Sequence, residues 1–145
     1  MSTNSGARIP KFRRVDLALV FVGGTLGTAS RLALSLLQPQ GLNLPVMVML
    51  VNVVGAFALG WLLTSLSARG PETSARHRIR LLVGTGFMGG FTTYSALATD
   101  SMLLTNNGSA LLGLGYGLGT VLVGALTTWC GMLVGTKRRT SAKGN

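Results

Sequence analysis

Twelve consecutive residues, Gly84-Thr85-Gly86-Phe87-Met88-Gly89-Gly90-Phe91-Thr92-Thr93-Tyr94-Ser95, concentrate glycine and hydroxyl chemistry in the middle of an apolar run. Four are glycine and four are Ser or Thr, and the apolar run around them, 81–99, carries no charge. Glycine costs about 1 kcal/mol in a helix interior, so a helix crossing here is expected to loosen or break. In lipid, irregular backbone persists only where it is buried in protein or lines a polar path. Freed carbonyls then face cations and freed N–H groups face anions. The stretch therefore reads as an ion site at membrane depth. Other neutral polar side chains can join it. Asn52 lies in the middle of the second apolar run, and Tyr116, Thr120 and Thr128 fall on one face of the fourth, with Gly124 completing the four-residue repeat. Hydroxyl and amide donors without compensating charge suit a small, strongly hydrated anion that must be bound and then released. The plainer alternative for the hydroxyls is bonding to their own helix, and for Asn52 an interhelical bond worth about 1 kcal/mol.

The elements that must position these groups are membrane spans. The chain has 145 residues, of which 48% are hydrophobic and 11% charged, against about 25% charged in soluble domains; its mean hydropathy is +0.50. Apolar runs cover 15–37, 45–66, 79–104 and 109–135. Each meets the length of about 20 residues that a helix needs to cross a bilayer. Pro39 and Pro45, Gly70-Pro71, and Asn106-Asn107-Gly108 mark the three connections. The expected fold is an all-α membrane protein of four transmembrane helices, the third broken. The four-helix transmembrane domain would span 15–136, between basic cytoplasmic tails at 1–14 and 137–145. Glycines four apart, Gly23/Gly27, Gly113/Gly117, Gly115/Gly119 and Gly131/Gly135, allow close helix approach and favour an oligomeric bundle.

The net charge is +10. In a soluble domain this would suggest nucleic acid, but the basic residues lie almost entirely outside the apolar runs. Twelve of the thirteen fall in the N-terminal tail (Arg8, Lys11, Arg13, Arg14), around the middle loop (Arg69, Arg76, Arg78, Arg80) and in the C-terminal tail (Lys137, Arg138, Arg139, Lys143). The positive-inside bias places all three segments, and both termini, in the cytoplasm. Arg31, the thirteenth, lies about 24 Å along the first helix, near the outer boundary. It either snorkels to the interface or attracts anions and ties helices together. Catalysis finds no constellation: Asp16, Glu72 and Asp100 are scattered, Ser95 has no His or Lys partner at membrane depth, His77 stands in a basic loop, and Cys130 is alone. The chain does not read as an enzyme.

Three motifs resemble the small fluoride channels called Fluc or CrcB. They are Gly23-Gly24-Thr25-Leu26-Gly27-Thr28-Ala29-Ser30-Arg31, Val51-Asn52-Val53-Val54-Gly55-Ala56-Phe57, and Gly86-Phe87-Met88-Gly89-Gly90-Phe91-Thr92-Thr93-Tyr94-Ser95. The resemblance implies an antiparallel dimer with two fluoride pores and a structural, untransported sodium ion held by main-chain carbonyls, here those of Gly89 and Thr92. It implies a fluoride path past Asn52, Tyr94, Ser95, Tyr116, Thr120 and Thr128. Tyr94 and Leu97 stand where the family carries two phenylalanines. An antiparallel pair of identical chains needs little Lys/Arg bias, whereas this bias is twelve against none. A heterodimer with a related chain of opposite topology is thus expected, with a homodimer as the alternative. Two other readings stay open: a non-conducting partner subunit, and a small proton-coupled cation exporter, which would need an intramembrane carboxylate. The topology has a direct check. In a Cys130→Ser background, Ser5→Cys and Ser141→Cys should react with impermeant maleimide only from the cytoplasmic side, and Asn43→Cys only from outside.

Overall fold

The computed structural model describes residues 13–39, 41, 44–106 and 109–141, with side chains through Thr136. Its described residues form helices and no strands. Helix α1 spans Arg14–Ser35, α2 Val46–Ser67, α3 Ser74–Ile79, α4 Met88–Phe91, α5 Tyr94–Asn106 and α6 Ala110–Ser141, and wide π-type turns occupy Arg80–Phe87 between α3 and α4. Three helices are long and apolar enough to cross a membrane: α1, α2 and the Ala110–Thr136 part of α6. The third apolar run is divided among shorter pieces, and none of them alone meets that length.

The ends of these elements have local causes. Asp16 accepts from the Arg13 main-chain N–H at 3.3 Å and so caps α1 from its first turn. Pro45 brings no side-chain cap to α2. Gln38 supplies one from across the loop, accepting from Met47 N–H at 3.0 Å while donating to the Leu44 carbonyl at 2.9 Å. Helix α3 falls in the stretch expected to be loop. Its signal is Thr73, whose hydroxyl accepts from Arg76 N–H at 3.4 Å as an N-cap does. At the other end α6 runs on to Ser141, because no glycine or proline interrupts 136–141. Part of the expected C-terminal tail is therefore helical; residues 1–12 and 142–145 of the two tails lie outside the described residues.

Packing is dominated by glycine, since among the described residues the fully apolar buried set is small: Val51, Leu66, Leu97 and Leu104. Helix α1 lies against the 80–91 segment. There Gly23 faces Gly86, Gly27 faces the Phe87 and Phe91 backbone, and Gly90 faces Gly24, so both sides carry glycine at four-residue spacing. A methyl group added at Gly27 would run into the Phe87 carbonyl, and one at Gly23 into the Leu82 carbonyl. The π-type turns belong to this seam. Met88 N–H reaches back five residues to the Val83 carbonyl, and glycine at 84 and 86 leaves room for the widened backbone. A second seam joins α2 to α6, where Gly131 abuts the Phe57 carbonyl and Gly60 the Thr128 carbonyl. In a third, Gly113 abuts Ser101 and Thr105 of α5. Close backbone contact is the available source of cohesion in lipid, where apolar side chains gain nothing by turning inward.

One expected glycine pair is different: a side chain at Gly115 or Gly119 would meet nothing within 4 Å. Substitution should therefore split by position. Gly27→Ala should destabilise the protein by about 1–3 kcal/mol through overpacking. Gly115→Ala should raise stability by up to about 1 kcal/mol through helix propensity. Thermal unfolding of the two variants in detergent, beside the parent, measures the contrast.

Candidate functional site

The site forms where the helical path from Ser74 to Asn106 is interrupted. Thr92 leaves α4 with extended backbone (φ −80°, ψ 152°) after its own N–H bonds to the Met88 carbonyl at 2.9 Å. In a continuous helix the next donor, Thr93 N–H, would be aimed at the Gly89 carbonyl. It goes instead to Oδ1 of Asn52 at 2.8 Å, and Asn52 Nδ2 donates to the Thr93 carbonyl at 3.0 Å. The side-chain amide thus pairs with a whole peptide unit, as one strand pairs with another. Only a neutral amide can do this, because the position must accept from one group and donate to the other. Thr93 then restarts the helix: its hydroxyl accepts from Ala96 N–H at 3.3 Å, as an N-cap for α5, and lies 3.1 Å from Ser95 Oγ.

Other groups hold the broken ends in place. The Gly90 carbonyl receives the Thr28 hydroxyl and Arg31 Nε, both at 3.4 Å. Arg31 is half-buried and joins α1 to the end of α4. Thr92 folds its hydroxyl back to the Met88 carbonyl at 2.8 Å. Gly55 of α2 faces the Thr92 methyl, which a side chain at 55 would displace. Among the described residues the Gly89 carbonyl thereby loses its helical donor, and Gly89 is exposed, with open space beside it.

The expected site residues divide into two groups. Gly89, Thr92, Asn52, Tyr94, Ser95 and Arg31 meet at the interruption. Tyr94 is 79% exposed and Ser95 is also exposed, so both stand on the outer surface of the single chain. The other three line up along α6, with each hydroxyl proton already directed to a main-chain carbonyl. Tyr116 donates to Pro45 at 3.0 Å, across the loop that opens α2. Thr120 donates to Tyr116 at 2.7 Å and is only 3% exposed, and Thr128 donates to Gly124 at 2.9 Å. As arranged, the threonines offer lone pairs and no free O–H.

Several participants were not singled out from sequence: Thr93 as the partner of Asn52, Thr28, and Thr127, whose hydroxyl reaches the Val53 carbonyl of α2 at 3.4 Å. The signal for Thr93 and Thr28 was only membership in Gly/Thr-rich motifs, Thr127 had none, and partners 41 to 74 residues away cannot be read from such motifs. The same holds for His77, read from sequence only as a residue of a basic loop, whose two ring nitrogens lie 3.6 Å from Asp16 and 3.7 Å from Glu72. Leu97, at a family phenylalanine position, is 6% exposed. Asp100 of α5 has a buried Oδ2 without a hydrogen bond.

Apolar helices long enough to span a membrane more than once, with a mid-run interruption whose Thr93 peptide is held by a neutral amide, define a small multi-pass membrane protein. Comparison with known proteins gives the family. The profile of "CrcB-like protein, Camphor Resistance (CrcB)" matches residues 18–132, and the chain belongs to the CrcB family. Its relatives include the protein named fluoride-specific ion channel FluC 2 of Leifsonia xyli subsp. xyli, 46% identical over 123 residues that cover 83% of each chain. The fluoride-specific ion channel FluC 1 of Cutibacterium acnes is 42% identical over 118 residues, 81% of this chain and 82% of that one. A third, from Mesorhizobium japonicum, is 36% identical over 119 residues, 81% and 93% of the two chains. The family is one of ion channels and not of enzymes.

The amide pairing carries a stability prediction. Asn52→Ala leaves the Thr93 N–H and carbonyl unpaired, at about 1–3 kcal/mol for each group if it stays dry. Asn52→Asp, which can accept but not donate, should forfeit one bond and bring a charge. Both variants should unfold in detergent at lower temperature than the parent, with hydrogen exchange at Thr93 accelerated.

Proposed function

We propose that this chain is a subunit of a fluoride-specific channel that lowers cytoplasmic fluoride by passive export. The observation that carries this reading is the Asn52–Thr93 pair, because it keeps a helix open inside an apolar run with neutral groups alone. The relatives' names supply the anion. Asn52 spends one of its two amide hydrogens on Thr93, and the second is the donor offered to fluoride. Ser95 Oγ and the ring edge of Tyr94, which carries partial positive charge, extend the path, and Tyr116, Thr120 and Thr128 continue it along α6. For the two threonines to donate, each must turn its proton away from its own helix.

The 79–106 segment acts as the remaining span, broken at membrane depth, and both termini are cytoplasmic. The carbonyl set fits a resident sodium ion: the Gly89 oxygen is released from helical bonding, Thr92 is extended, and oxygen donors without a carboxylate suit a weakly held monovalent cation. Gly89 and Thr92 would hold it, and it would supply a fixed positive charge at the break. Because Gly89, Tyr94 and Ser95 are exposed on the single chain, a second subunit is needed to enclose ion and path. The twelve-to-none Lys/Arg bias makes that subunit a related chain of opposite topology, in an antiparallel heterodimer.

A second reading, a subunit that completes a channel without conducting through its own groups, is favoured by the hydroxyl protons of Thr120 and Thr128 being committed to their own helix. Fluoride efflux from liposomes separates the two. With the opposite-topology partner present, efflux should be fast, and Asn52→Ala should slow it by roughly 10- to 100-fold, the equivalent of one donor to an anion. Unchanged efflux in that variant would leave this chain a scaffold. Full efflux from this chain alone would refute the heterodimer. In the exporter reading Asp100→Asn would abolish transport; as a channel the protein should keep it.

A further inference from the structure

Apart from Arg31, the basic residues of the described chain gather at the start of α1, just after α2, along and just after α3, and at the end of α6. Arg13 and Arg14 open α1, Arg69 follows α2, and Arg78 lies on α3, while exposed apolar side chains adjoin them: Val15 and Leu17 on α1, Leu63 on α2, and Ile79 at the end of α3. All four residues of the middle-loop set, Arg69, Arg76, Arg78 and Arg80, are arginine, and the chain's three lysines lie in the tails. Topology alone asks only for positive charge; arginine adds a planar fork of donors that matches phosphate oxygens.

Two of these arginines are already used. Arg76 Nη1 donates to the Gly70 carbonyl at 2.9 Å. Arg80 Nη2 lies 3.3 Å from the Glu72 carboxylate. Glu72 also faces His77, as does Asp16, so the local acids are engaged with that imidazole and Arg80. The side chains of Arg69 and Arg78 make no hydrogen bond or ion pair among the described residues and are exposed. A free guanidinium beside exposed apolar surface is placed to lay its stem along lipid and its head among headgroups.

We propose that Arg69 and Arg78 each dock a phosphate headgroup of anionic phospholipid in the leaflet that holds the arginine-rich ends. Charge complementarity selects this occupant: a zwitterionic headgroup cancels the attraction, and an anionic one contributes about 1 kcal/mol per basic side chain. The lipid would brace the short α3, which leads directly into the 80–91 segment and so into the interruption at Thr92–Thr93. This surface depends on the membrane embedding of the chain and not on which ion it conducts.

The test uses the full-length protein in neutral detergent, with lipid retention read by native mass spectrometry and thermal unfolding measured in parallel. Phosphatidylglycerol should be retained in preference to phosphatidylcholine and should raise the unfolding temperature. The double variant Arg69→Gln/Arg78→Gln should lose about 10- to 30-fold of that preference, as two contacts of this size require. If the double variant does not fold, salt decides with the parent protein: the preference should shrink between 0.1 and 1 M salt, as the screening length falls from about 10 to about 3 Å. Equal retention of the two lipids would overturn the proposal, as would a preference that survives the substitutions or 1 M salt. An equal thermal shift from soluble glycerol phosphate would also overturn it, by assigning the site to a free anion.

Discussion

An unpaired peptide group inside a membrane is the constraint around which this protein is arranged. Breaking a helix there exposes main-chain donors and acceptors that no water can satisfy, at several kcal/mol each. Asn52 answers for Thr93 on both its N–H and its carbonyl, Thr93 answers for Ala96, and Thr28 with Arg31 answers for Gly90. The interruption is therefore not slack. It is a second conformation of the segment, its Gly90 carbonyl bonded from α1 on one side and its Thr93 peptide from α2 on the other.

That arrangement explains the packing. A side-chain amide can meet a peptide unit in another segment only if the two backbones approach closely, and the glycine seams provide the approach. Gly23, Gly24 and Gly27 against Gly86, Phe87 and Gly90 bring α1 to within backbone contact of the 80–91 segment. The wide turns at Arg80–Phe87 let that segment follow α1 before it breaks. Gly55 leaves space for Thr92 beside Asn52. Glycine here exchanges helix propensity for proximity, and proximity is what the hydrogen bonds need.

The single chain leaves its chemistry half open. Tyr94, Ser95 and Gly89 lie outward, beside long exposed apolar faces on α1 and α6. Such faces suit lipid or another subunit, and if the proposed span places the break at membrane depth, its exposed polar backbone requires protein on its open side. The heterodimeric channel reading rests on this incompleteness together with the charge asymmetry of the sequence.

Composition and periodicity determined much on their own. The apolar runs and the Lys/Arg distribution showed a multi-pass helical membrane protein, because burial in lipid is a property of whole segments and is visible in any window of about 20 residues. The Gly84–Ser95 stretch marked the interruption, because glycine weakens a helix wherever it stands. The partners were not legible. Nothing local to Asn52 says that its amide meets Thr93, or that Arg31 reaches Gly90 and not the interface, since those contacts join residues 41 and 59 apart. The tertiary structure also decided the hydroxyls of α6. A threonine four residues past a carbonyl can bond its own helix or face a path, and only the surrounding helices determine which; here Thr120 and Thr128 bond the helix. Segment character is additive along the chain, whereas hydrogen-bond partnership depends on which backbones the glycine seams bring together.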